Sequence, residues 1–533
     1  MKRLIRAGAA ILALAILTTI PLTSQPSAFA QPPAKEELPA ELRFVPADAA
    51  LFVHIDAAKI WDHPILKGVR KADPRTFDFL TTTTKTDFGI VPEDVKSLTV
   101  FIPKLKKPED LEHIGVVLTF NKAFDKAKLT AGVEKYFGLG KSSVVAGDAK
   151  TAVVLLNLKE EYAKPQAADK TGPQSEAIKL AATGKFAAVA GLNLEAFPEE
   201  LRGDDLPPQL RAFQPLFKAR TLLATLDVEK NLTLDVRVKT GTAGQAVDCE
   251  KALGALLGLI QDELGTSLKE FETKKDANLT DLVAVLKAGI ATTKSAKFST
   301  LGNETRLTVT MPLDLPFGGA FVSARTLIQS QAAVAQSSNN MKQIGLAMHS
   351  FADSTNSMPP AAICDKKGTP LLSWRVSILP YIEQEKLYKE FKLDEPWDSE
   401  NNKKLLAKMP ANYAIPGKTK PGDTDTHYRV FVGNGAGFDW IRGARFPADF
   451  TDGTSNTLLC ITAETAVPWT KPDELAYDPK QDPSKLFGLI VNGKCQVGMF
   501  DGSVRTLKKL PSKETLHALI TRAGGEVIDE DFD

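Results

Sequence analysis

Asn339-Asn340-Met341-Lys342-Gln343-Ile344-Gly345-Leu346-Ala347-Met348-His349 is the stretch on which the reading of this chain turns. Upstream of it stand Phe321, Ala324, Leu327, Ile328 and Ala335; within and beyond it stand Met341, Ile344, Met348 and Phe351. They recur at mainly helical spacing, which predicts one long helix over 320–351. At a rise of about 1.5 Å per residue that helix would span about 48 Å.

Further short motifs follow in a fixed order. They are Met358-Pro359-Pro360, Leu372-Ser373-Trp374-Arg375, Leu379-Pro380-Tyr381-Ile382-Glu383-Gln384, Asp452-Gly453-Thr454-Ser455-Asn456-Thr457, Phe500-Asp501-Gly502-Ser503-Val504 and Gly524-Gly525-Glu526. The series resembles a planctomycete-type prepilin-like family, the family of unknown function 1559, over about residues 320–533. The resemblance implies a pseudopilin-like domain at 316–533 that opens with the long helix. In that family the first half of the helix carries the prepilin peptidase signal and enters the membrane. Here Pro316-Phe317-Gly318-Gly319 stands in its place, and Gly and Pro are poor in helix interiors. The expectation is a derivative that does not polymerise into filaments, its spine docked on its own domain.

Other positions depart from the family's pattern. The His expected ten residues before Asp501 is Val491, the Cys before Asn-Asn is Ser337, and the later Cys-Pro is Ile415-Pro416. The resemblance therefore implies loss of one disulfide and of any His and Asp pair. His349 matches the family's His and is expected to be a hydrogen-bonded structural residue.

The region before the helix reads as two copies of one α+β unit, 31–170 and 171–315. Strand-like Leu51-Phe52-Val53-His54-Ile55-Asp56, a helical stretch near 57–69, strands near 98–102 and 113–120 and a helix near 122–136 form the first. The order returns at 186–194, 206–218, 221–228, 232–239 and 243–264, an offset of roughly 120 to 135 residues. A helix over 279–293 and a hairpin turning at Gly302-Asn303 complete the second copy. The fold class is α+β: duplicated antiparallel sheet and helix units, expected as two sheets each backed by helices, followed by the pseudopilin-like domain.

Residues 1–30 carry an export pattern. Lys2, Arg3 and Arg6 precede an apolar run from Ala7 to Ile20, Pro21 breaks it, and Ala28-Phe29-Ala30 offers a cleavage site after Ala30. The run is shorter than the roughly 20 residues that span a bilayer, so no transmembrane segment is expected after cleavage. The 66 basic and 65 acidic residues, less those three cations, leave a mature chain close to neutral. Nothing points to nucleic acid, and the expected location is periplasm, cell envelope or the secreted fraction.

Recognisable catalytic motifs are absent from the sequence. There is no Gly-x-Ser-x-Gly elbow and no His-Glu-x-x-His helix, and Gly138-Leu139-Gly140-Lys141-Ser142 lacks the first glycine of a phosphate loop because position 135 is Lys. Asp452-Gly453 and Asp501-Gly502 read as turns. Oxygens of Asp452, Asn456 and Asp501 are the alternative, as a calcium site. The acidic end, Glu526, Asp529, Glu530, Asp531 and Asp533, reads as a solvated tail. Trp374, Trp397, Trp440 and Trp469 read as core-packing residues, with stacking on a carbohydrate or peptide as the alternative. Cys460 and Cys495 sit in strand-like runs; a bridge between them would contribute about 3 to 4 kcal/mol, and buried free thiols are the equal alternative.

The reading that follows is an exported, non-enzymatic cell-envelope protein without cofactor, a protein-interaction or structural module whose partners are other envelope proteins. The alternative is a binding protein or hydrolase with a Trp-lined cleft in the C-terminal domain.

Overall fold

The computed structural model describes residues 38–138, 142–166, 171–198, 202, 208–526, 528 and 532. The export segment with Ala30, residues 139–141 of the phosphate-loop-like run, and Asp529, Glu530, Asp531 and Asp533 lie outside them. The chain divides into two compact units, Met1–Ala324 and Arg325–Asp533.

The first unit is built on one antiparallel sheet of ten strands. The first copy supplies β1 (Leu51–Asp56), β2 (Val95–Ile102), β3 (Ile114–Phe120), β4 (Ser142–Asp148) and β5 (Thr151–Leu156); the second supplies β6 (Ala188–Asn193), β7 (Thr221–Asp227), β8 (Leu232–Lys239), β9 (Lys297–Leu301) and β10 (Glu304–Met311). The spatial order is β4-β5-β3-β2-β1-β6-β7-β8-β10-β9. Counted outward from the β1–β6 seam, both copies run first, second, third, fifth, fourth strand, which is the signature of a duplicated unit. The two copies share a single sheet, which corrects the expectation of two. The reason lies in β1, where Phe52 and Ile55 are both buried although they point to opposite faces. Such a strand cannot serve as an exposed edge. It pairs with β6 from Leu51 opposite Leu192 to Ile55 opposite Ala188.

Helices sort by face. Among the described residues the helices of this unit include α1 (Ala57–Trp61), α2 (Pro64–Ala72), α3 (Pro74–Thr83), α4 (Lys126–Phe137), α5 (Ser175–Ala182), α6 (Gln214–Phe217), α7 (Ala243–Lys274) and α8 (Thr280–Lys294). On one face Phe52, Phe101, Val117 and Leu223 pack under Leu42, Phe44 and Ile178 of α5. The opposite face carries Ile55 with Leu66 and Val69 of α2, Val144 and Val154 with Leu129 and Val133 of α4, and Val238 and Leu307 with Cys249 and Leu253 of α7. Thr242 and Gln245 close a capping box that starts α7, and the helix runs on to Lys274, past the predicted end near 264. The α7–α8 pair fills the place between β8 and β9 that the single helix α4 fills between β3 and β4.

A helix of 39 residues, α9 (Phe317–Thr355), begins in the first unit and ends in the second. It was predicted to start after the Gly318-Gly319 pair, and it starts before it. Both glycines fall in the first turn, where backbone N–H groups have no intrahelical partner in any case. They also admit close approach: a Cβ on Gly318 would lie 3.1 Å from the Gly68 carbonyl, and one on Gly319 only 1.7 Å from Asp281 Oδ2.

In the second unit α9 buries Met341, Ile344, Ala347, Met348 and Ala352. Around this face lie β11 (Ala362–Cys364), β12 (Pro370–Ser373), β13 (Asp425–Arg429), β14 (Phe431–Val432), β15 (Leu458–Pro468), β16 (Leu475–Ala476), β17 (Cys495–Met499) and β18 (Val504–Leu507). They form a four-stranded sheet, β13-β15-β17-β18, and the pairs β11–β12 and β14–β16. Among the described residues no helix is long and apolar enough to cross a membrane.

Cys460 and Cys495 lie on the neighbouring strands β15 and β17, and both are free. Cys460 pairs with Gly498, so Cys495 is displaced by an odd number of positions along the ladder. It therefore faces the other side of the sheet: Cys460 belongs to the core around Trp374, Cys495 to the core around Phe431 and Leu516. This register excludes a bridge between them.

Candidate functional site

The Leu372–Arg375 motif builds the most enclosed polar centre of the second unit. Ser373 ends β12 and caps the turn Trp374–Ser377, its hydroxyl accepting from Arg375 N at 3.3 Å. That turn aims Arg375 inward, where neither it nor Glu474 is reached by solvent. Nη1 of Arg375 donates to Glu474 Oε1 at 2.8 Å, and Nη2 donates to the Tyr428 carbonyl at 2.6 Å. Glu474 Oε2 accepts from Val430 N at 3.1 Å. Burial pushes the Glu474 carboxyl up; the Arg375 charge and the Val430 amide oppose it. The pair ties three chain segments together and leaves no face open to a substrate.

Four motifs of the series meet at another place. Phe500 N donates to Thr457 O at 3.0 Å and Asp501 N to Thr454 O at 2.9 Å, joining the 500–504 and 452–457 motifs. The Asp452 carboxylate accepts from Gly524 N at 2.7 Å and Gly525 N at 3.0 Å. Asn456 Nδ2 donates to Asp452 O, and Asp501 Oδ1 accepts from Ser503 N at 2.8 Å. Gly453 and Gly502 both hold positive φ, 97° and 83°, the conformation that Asp-Gly turns require. Hydrogen bonds thus engage both Asp452 carboxylate oxygens and one of Asp501, while Asn456 turns its amide nitrogen toward the Asp452 carbonyl. Among the described residues no three His, Cys, Asp or Glu side chains gather as a metal site.

His349 reaches the same place from α9. Its ring stands 4.7 Å from Phe446, edge on. Burial lowers its pKa, with a hydrogen bond to the Phe500 backbone opposing. Val491, at the family's second His position, is a core residue.

The tryptophans do not line one cleft. Trp374 and Trp469 are fully buried; Trp469 stacks on Tyr413 at 5.8 Å and donates Nε1–H to Leu406 O at 2.9 Å. Both pack in the core as expected, and the stacking alternative is corrected for them, because an indole in the core has no face left for a ligand. Trp397 and Trp440 are half-buried against the same core, and Lys471 already sits 6.0 Å above the Trp397 ring.

An open concavity lies in the first unit, away from the residues singled out in the sequence. A cleft of about 420 Å³ beside α5 is lined by Glu176, Glu195, Arg220, Arg237, Lys239 and Asn303. Along β8, Asp235, Arg237 and Lys239 alternate with Val236 and Val238, so the sequence shows a polar face but not the helix beside it. Arg237 Nη1 meets Glu176 Oε1 at 3.2 Å, and its Nε meets Asp235 Oδ1 at 3.0 Å. Burial pushes Asp235 up, but hydrogen bonds from Arg306, Arg237 and Thr308 outweigh it and hold the carboxyl below its usual range. A hydrogen bond to Glu176 raises Lys239. Arg220, Arg237 and Lys239 each have a carboxylate partner, so the cleft suits a polar surface of mixed charge rather than a polyanion.

No curated protein and no solved structure matches the chain. Residues 332–437 do match a family model, described as protein of unknown function (DUF1559), and this supports the family of unknown function 1559 that the motif series points to.

Proposed function

We propose that this chain is an exported, non-enzymatic protein of the cell envelope, a pseudopilin-derived module that binds other envelope proteins. One observation carries the reading: the buried polar side chains Asn340 and Arg375 and the carboxylate of Asp452 in the motif series are bound to their own unit. Arg375 holds Glu474 and the Tyr428 carbonyl, Asn340 Nδ2 donates to Ala414 O at 3.1 Å, and Asp452 holds Gly524 and Gly525. A motif set spent on backbone and buried partners builds a scaffold, and the mixed-charge cleft of the first unit is the surface offered for recognition. The start of α9 supports the absence of filaments. Phe317 and Phe321 pack into the first unit's core, and Ser323 Oγ donates to the Asn278 carbonyl, so this part of the spine is not free to join a filament core.

Cell fractionation with N-terminal sequencing tests the export reading. The mature chain is expected outside the cytoplasm with Gln31 first; a cytoplasmic chain that keeps Met1 overturns it. Electron microscopy of the purified chain at high concentration is expected to show no fibres, and regular thin fibres would overturn the non-filament reading.

A further inference from the structure

The Ile55 face of the first unit's sheet holds a cavity. Between the core around Ile55 and Leu66 and the core around Leu129 and Val133 lies an apolar cavity of about 290 Å³. Ile55, Ile60, Leu66, Leu80, Leu98 and Leu118 line it. Its volume is about twice that of an apolar cavity of roughly 150 Å³ known to admit benzene. Above it runs α3, a helix with no buried residue of its own, whose Leu80 lines the cavity while 44 % exposed. An apolar occupant would gain dispersion contacts along this lining.

Trp61 and Phe77, edge to face at 6.4 Å, line this cavity and also a second one of about 380 Å³ with a different character. The second cavity adds Asp62, Asp78, Glu93 and a single cation, Arg70. The Arg70 guanidinium lies 4.3 Å above the Trp61 ring, so the ring face already seats a positive group. Asp62 is paired with Lys67 at 3.3 Å, which leaves Asp78 and Glu93 against Arg70; two carboxylates against one cation, beside an aromatic face that attracts cations, select positive charge. We propose that the two cavities form one binding site for a linear amphiphile, its aliphatic chain lying against Leu98 and Leu118 and its cationic head between Trp61 and the carboxylates of Asp78 and Glu93.

Titration calorimetry of the full chain tests this with n-dodecyltrimethylammonium, n-dodecyl sulfate and n-dodecyl maltoside, each below its micelle concentration. Saturable one-to-one binding of the ammonium compound is expected, with the sulfate weaker by about fivefold or more. Asp78→Lys with Glu93→Lys, both at exposed positions, should remove or invert that preference without touching the apolar lining. Leu98→Trp should fill the cavity and abolish binding; if that variant does not fold, the head-charge comparison and the double lysine variant decide alone. Equal binding of the two charged head groups, a preference that survives the double lysine variant, or no saturable binding overturns the proposal. A folded Leu98→Trp chain that binds as before overturns it as well.

Discussion

Arg375 and Glu474 meet at 2.8 Å with neither side chain exposed to solvent, although 99 positions separate them in the chain. Removing one partner leaves the other charge buried and unpaired, which costs about 3–5 kcal/mol. Glu474→Gln and Arg375→Met should each lose about that much in urea unfolding. The double variant Arg375→Met with Glu474→Leu should lose less than the two single losses combined. Additive losses would show that the pair does not act as a unit.

His63 gives the fold an acid sensitivity. It is 1 % exposed and its Nδ1 accepts from Ile65 N at 3.2 Å, capping α2, while Nε2 is buried without a hydrogen-bond partner. Burial, with the Lys67 charge adding to it, pushes its pKa down from 6.5 to about 3. The unfolded chain then binds the extra proton between those values. The stability His63 contributes is complete above pH 6.5 and is lost as pH falls toward 3. The slope is at most about 1.4 kcal/mol per pH unit. Burial shifts His54, His349 and His427 the same way. Urea midpoints should therefore fall from pH 7 to pH 4, and less steeply in His63→Asn, which keeps a cap acceptor and has no proton to gain. An unaltered slope in that variant would remove His63 from the account.

Asp452 should behave as a clamp on the chain's end. Asp452→Ala removes both hydrogen bonds to Gly524 and Gly525, a loss of about 1.5–3 kcal/mol where the acceptor is charged. Hydrogen exchange at 524–526 is expected to accelerate with little change in β1–β10. Millimolar calcium should leave the melting temperature of the native chain unchanged, and a rise of several degrees would restore the cation reading.

The thiols of Cys460 and Cys495 should be silent in the folded chain. Burial pushes both up, Cys495 to about 11, and Cys249 likewise to about 11. A disulfide reagent at pH 8 should label these three only after unfolding, while half-buried Cys364 reacts first. Peptide mapping of oxidised native protein should find no Cys460–Cys495 link.

Legibility in the sequence followed how local each signal was. The limits of β8 and the start of α7 could be read directly, because alternation along 232–239 and the Thr242/Gln245 box are encoded within a few residues. The β4–β5 hairpin was not anticipated. Five of the six residues of β5 are buried, on both faces of the sheet, so Ala152-Val153-Val154-Leu155 shows no alternation to betray a strand. Glu474 was equally unannounced, since an isolated Glu beside Asp473 carries no mark of the arginine it will meet. The cleft by α5 was missed for the same reason: its two walls come from segments far apart in the chain.

The sequence by itself determined the α+β class, the duplication, the Asp-Gly turns and the motif series whose 332–437 portion matches the family model. Each of these rests on periodicity, on glycine's freedom at positive φ or on a fixed order of short motifs, all properties of neighbouring residues. Tertiary structure alone decided that β1 meets β6 in one sheet, that Cys460 and Cys495 face opposite cores, and that Trp374 and Trp469 are interior. The first two outcomes depend on strand register, where a shift of one residue turns every side chain to the other face. Register is set by the summed burial of distant segments, and no short window of sequence contains it.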